Sequence, residues 1–116
     1  MAERRFEHAS NPGFRCAESA ILLPFGRRSF LPAVVERAGG AEEPLDEPTD
    51  RIVYQLRPHR VTLVYSGMGA PAAANALEMA AANGARRVVV FGACGGVDAG
   101  LEVGHLLVVS AAVRGE

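Results

Sequence analysis

A chain of 116 residues, 49% hydrophobic and with a formal net charge of −1, is sized for one globular domain and carries no field that would steer it onto nucleic acid. No run of about 18 apolar residues is present, so no membrane-spanning helix is expected. The opening "MAERRFEHASNPGF" has arginines but lacks the apolar core and cleavage site of a signal peptide, which makes a cytoplasmic location the expectation.

Residues 1–18 read as a flexible lead-in. "SAILL" (19–23) reads as a short buried strand ended by Pro24 and Gly26. In "SFLPAVVERAGG" Ser29 is placed to cap a helix, Pro32 suits its first turn, and Gly39–Gly40 would stop it. Leu31, Val34, Val35 and Ala38 then share one face. The acidic, proline-bearing "AEEPLDEPTD" reads as an exposed loop. "RIVYQL" (51–56) and "VTLVYS" (61–66) are dense in β-branched residues and separated by "RPHR", a spacing that predicts a hairpin.

The next unit is a strand–helix–strand. "VTLVYS" runs through "GMGAP" into "PAAANALEMAAANG", a helix with Pro71 near its start and Asn83–Gly84 as its stop, and then into the strand "RRVVVFG". Its alanines allow close approach to a sheet. "LLVVSAAV" (106–113) predicts one more buried strand. The strands are apolar enough to be covered on both faces, so the fold class is α/β, with a mixed, largely parallel central sheet flanked by helices.

Two glycine clusters, "SGMG" and "FGACGG", end strands of this unit and should be neighbours in space. Ligands in open α/β sheets collect beyond the carboxyl ends of the strands. Glycine lets a ligand touch the main chain and presents its N–H groups. Tight turns are the plainer explanation of either cluster alone. A dinucleotide site is a weaker rival, because "GMGAPA" approximates its fingerprint but the following strand ends without the acidic residue that would hold the ribose.

On Gly67-Met68-Gly69, Gly92-Ala93-Cys94-Gly95, Val103-Gly104 and Ala112-Val113-Arg114, in that order and spacing, residues 61–116 resemble the nucleoside phosphorylase family, its uridine phosphorylase branch most of all. "AILLP" (20–24) resembles the family's opening strand more loosely, so residues 19–116 are expected to be the amino-terminal half of such a domain. The resemblance implies cleavage of the N-glycosidic bond of a nucleoside by phosphate, or by water in the nucleosidase branch. It implies that Gly67, Met68, Gly69, Gly92, Ala93, Cys94 and Gly95 touch substrate. Nucleoside and phosphate are the implied ligands, with no cofactor and no metal. Family chains are longer, and their later half supplies the base-recognition segment and the acid groups. This chain alone is therefore expected to be inactive, and to form a homo-oligomer or a complex with a complementary chain.

Departures from the family pattern bear on phosphate. Val90 stands where similar phosphorylases have an arginine, Ala93 where they have a hydroxyl residue, and His105 where "VGD" has its aspartate. The family's "GDPxR" reads "PFGRRS", in which Gly26 and Arg28 are rough stand-ins, and Arg51 or Arg57 is a candidate arginine offered across a subunit contact. An anion site loses roughly 1.5–3 kcal/mol for each charge-assisted bond removed. The alternative function is therefore a non-catalytic nucleoside-binding or assembly module. Cys94 reads as a small pocket-lining side chain rather than a nucleophile. Cys16, His59 and His105 show no metal spacing.

Overall fold

The computed structural model describes residues 15–39, 52–56 and 59–115. Along the chain run β1 (Ser19–Leu23), α1 (Phe30–Arg37), β2 (Ile52–Leu56), β3 (Val61–Tyr65), α2 (Ala70–Ala82) and β4 (Arg87–Val90). The four strands form one mixed sheet in the order β2-β3-β1-β4. β1 is parallel to both β3 and β4, while β2 joins β3 as the antiparallel hairpin predicted from its spacing.

Alternation along the strands sorts the core into two layers. Leu23, Leu56 and Leu63 point to one face, where Leu31 of α1 completes a cluster with Val34 and Val35 packed against it. Leu22, Val53 and Val64 point to the other face and meet Ala76 of α2. Ala80 and Ala85 close over Ala20 at the end of that layer. Ala76 and Ala80 are fully buried, as close helix-on-sheet approach requires. Their methyl groups let the α2 backbone lie near β1 at almost no cost in side-chain entropy.

The helix ends differ in part from the sequence reading. Ser29 occupies the position before α1 but makes no side-chain cap; the Gly26 carbonyl instead accepts from the Phe30 and Leu31 N–H groups, both at 2.9 Å. Asn83 does end α2, its Nδ2 donating to the Met79 carbonyl at 2.8 Å, with Gly84 at φ +113° behind it. Residues 15–18, inside the span read as a lead-in, are tied to the sheet. The Cys16 N–H donates to the Asn83 carbonyl at 2.9 Å, and the Ala17 N–H to Thr62 Oγ1 at 2.7 Å. Thr62, fully buried, donates in turn to Gln55 Oε1 at 2.8 Å, and Gln55 Nε2 donates to the Arg15 carbonyl at 2.7 Å.

The strand expected at 106–113 does not form. Leu106, Val108 and Val109 are at least 75% exposed, and no described strand pairs with the segment. An apolar run becomes a buried strand only with a hydrogen-bonding neighbour and cover on its faces, and among the described residues it has neither. No described helix is long and apolar enough to cross a membrane.

Burial raises the Cys16 thiol from its ordinary 9.0 to about 11, against a smaller lowering by its hydrogen bond with Thr62. Folding thus favours the neutral thiol. Its contribution to stability is whole below about pH 9 and is lost as pH rises toward 11. Urea unfolding across that window should show a decline in wild-type stability that is shallower in Cys16→Ala.

Candidate functional site

Parallel alignment of β1, β3 and β4 brings their carboxyl ends to one rim of the sheet. The ladders continue one step beyond the strands: the Ser66 N–H donates to the Leu23 carbonyl at 3.0 Å, and the Phe91 N–H to the Leu22 carbonyl at 2.9 Å. The two glycine loops therefore leave from either side of the end of β1. They share this rim, but β1 lies between them, so their origins stand two strand spacings apart, roughly 10 Å. A helix crossover from β3 to β4 skips over β1, and this insertion is what the local pattern of residues 61–92 does not reveal.

Each loop has its own geometry. Gly67 and Gly69 take φ of +79° and +101°, the second immediately before α2, which makes glycine a backbone requirement at both. Met68 between them is 85% exposed. The first turn of α2 opens toward the same rim, and such a turn leaves N–H groups without partners inside the helix. Gly92, Ala93, Cys94 and Gly95 are all exposed. Neither Gly92 nor Gly95 has a left-handed φ, and a methyl added at either would meet nothing within 4 Å. Nothing within the described residues demands glycine there.

Gly26 is the opposite case. It has φ +72°, and a Cβ there would stand 2.5 Å from Phe30 Cβ. It lies in the turn that leaves β1, between the two glycine loops, with Arg27 and Arg28 exposed beside it. The candidate phosphate contacts Gly26 and Arg28 thus share the rim with the candidate substrate loops. Arg51 and Arg57 lie outside the described residues. Val90, where similar phosphorylases have arginine, is 57% exposed at the end of β4. The His105 ring faces its own turn: its Nδ1 accepts from the Glu102 N–H at 3.2 Å. Among the described residues no cluster of His, Cys, Asp and Glu could hold a metal ion.

Sequence reasoning passed over three aromatic rings at this rim. Phe25 stacks on Phe30 with centroids 5.1 Å apart, and Phe30 on Phe91 at 6.1 Å. All three sit where an element begins or ends, a pattern visible in "PFGRRSF" and "VVVFG" but not distinguishable there from ordinary core filling.

Comparison with known families settles the kinship of this arrangement, since the phosphorylase superfamily model matches residues 21–116. The chain belongs to the phosphorylase superfamily. That match starts inside β1 and runs through both glycine loops, so the whole rim lies within the phosphorylase region. It agrees with the resemblance carried by the glycine motifs and supports a function of the nucleoside phosphorylase or nucleosidase kind in general terms. No curated protein and no solved structure matches the chain.

The three glycine environments separate by substitution. Gly26→Ala should lose about 2 kcal/mol or more of stability from the left-handed backbone and the crowding at Phe30. Gly92→Ala and Gly95→Ala should leave the unfolding midpoint unchanged or raise stability by about 0.4–1 kcal/mol. Urea titrations of the three variants test the contrast, and a large loss at Gly92 or Gly95 would show a constraint that this geometry lacks.

Proposed function

We propose that this chain supplies the glycine-loop rim of a nucleoside-cleaving site, in which the N-glycosidic bond is broken by phosphate or by water once further residues complete the pocket. The observation that carries the reading is the pair of open glycines, Gly92 and Gly95. Their lack of a side chain serves no turn and no packing here, whereas it would serve a ligand lying directly on the main chain.

In this reading the sugar and base rest across Gly67–Gly69 and Gly92–Gly95, with Met68, Ala93 and Cys94 as small or flexible lining. Cleavage gives the sugar oxocarbenium character. An anion held below the ring therefore lowers the barrier, and its fixed position contributes through orientation. Gly26 and Arg28 in the β1–α1 turn are the candidates for that anion, with Arg51 offered from a second subunit. Residues 19–116 are then the amino-terminal half of a phosphorylase-like domain working in the cytoplasm.

A second reading, a nucleoside-binding module without turnover, is favoured by Val90 and Ala93, which replace charged and hydroxyl groups of the anion site. One titration with two readouts separates the two. Uridine and inorganic phosphate should shift the backbone amides of residues 67–69 and 92–95 in the chain alone, and release of base should follow in samples where added residues or a complementary chain complete the pocket. Shifts without release in those completed samples select the binding module. Shifts absent from both loops, or confined to residues elsewhere, would remove the proposal.

The reading also includes assembly. β4 is paired only with β1 in the described sheet, and Val89 and Val90 are 59% and 57% exposed, so an apolar strand offers an open edge. Light scattering at micromolar concentration should report a mass above that of a single chain. A stable monomer would contradict the assembly.

A further inference from the structure

The β1–α1 turn and the Gly92–Gly95 loop belong to different elements, yet one side chain packs against the turn and against Phe91, the residue just before the loop. Phe30 is the first residue of α1. Its own N–H and that of Leu31 close on the Gly26 carbonyl, which fixes the turn against the helix start. Leu31, one residue on, is buried in the core at 1% exposure, so the helix start is anchored to the sheet. The Phe30 ring lies between Phe25 and Phe91, at 5.1 Å and 6.1 Å, with the Phe91 ring only 12° from parallel. Phe91 is in turn the last residue whose N–H is held by β1, at 2.9 Å from the Leu22 carbonyl. The glycine that follows it has no neighbour within 4 Å of an added Cβ.

We propose that Phe30 is a positioning residue that couples the two walls of the rim, so that the turn bearing Gly26 and Arg28 and the loop Gly92–Gly95 hold one relative placement. The ring contact acts at the root of the glycine loop, where a small rotation of Phe91 is carried outward along the main chain. Because the two walls share this contact, a ligand that orders one wall lowers the ordering cost at the other. By linkage the effect is reciprocal. The ligand arm of this inference rests on the proposal that the rim takes a nucleoside and an anion; the mechanical arm does not.

Backbone 15N relaxation on the ligand-free chain tests the mechanical arm. In Phe30→Leu the order parameters of Gly92 and Ala93 should fall from roughly 0.85 to below about 0.6, and in Phe91→Leu the same fall should appear at Gly26 and Arg27. Phe30→Tyr, which keeps the stack, should restore wild-type values. Unchanged amides in α2 and the β2–β3 hairpin certify the fold in every variant. A fall confined to the mutated element, in either direction, overturns the proposal.

Titration tests the ligand arm. Saturating inorganic phosphate should tighten uridine binding by roughly tenfold in wild type and in Phe30→Tyr, and by less than about twofold in Phe30→Leu. A merely structural defect would weaken both ligands while leaving their mutual effect intact, and that result would overturn the coupling. Should wild type bind neither probe, the reading of the rim fails, while the relaxation data still decide whether Phe30 joins its walls.

Discussion

Hydrogen bonding of β1 along both of its edges is the constraint from which the rest of the molecule follows. β4 pairs with no other described strand, and β3 meets β1 on the edge away from its hairpin partner. Because both contacts are parallel, three strands finish on the same side, and the segments leaving them are brought together without needing contact with one another. The helix packed over β1 must lie close to it, and α2 meets that demand with alanines where a larger side chain would lift it away.

The two ends of the sheet divide the labour between stability and exposure. At the amino ends of the parallel strands, Thr62, Gln55, Ala17 and Arg15 form a closed chain of donors and acceptors, and no buried side-chain polar atom among the described residues lacks a partner. At the carboxyl ends the main chain is bare. Gly67 and Gly69 are glycine because the backbone is left-handed, Gly26 for that reason and because Phe30 crowds it, and Gly92 and Gly95 for neither reason. For the last two, nothing among the described residues supplies a reason.

Much of this was legible in the amino-acid pattern because the signals were local. The β-branched runs, the alanine-rich helix with Asn83–Gly84 behind it, and the hairpin spacing each depend on a few adjacent residues, and the glycine motifs in order named the family. What was hidden depends on residues far apart. That β1 would intervene between β3 and β4 is set by sheet order, and no window of residues 61–92 contains β1. The Phe25–Phe30–Phe91 stack joins segments separated by most of the domain. The misread strand at 106–113 shows the converse: hydrophobicity and β-branching describe what a segment can do, and a neighbour with free N–H and C=O groups decides whether it does.

The register of β1 has a consequence for the order in which the chain acquires its shape. The hairpin brings together Leu56 and Val61, nearly adjacent in the chain, whereas pairing of Ser19 with Arg87 closes nearly the whole described sheet into one loop. Loop-closure entropy makes the short connection form readily and the long one depend on contacts already made. The rim has no existence until that last closure, since each of its walls is rooted on a different flank of β1. Whatever slows the docking of five residues near the amino end therefore delays the whole of the candidate site, although most of its residues lie in the latter half of the chain.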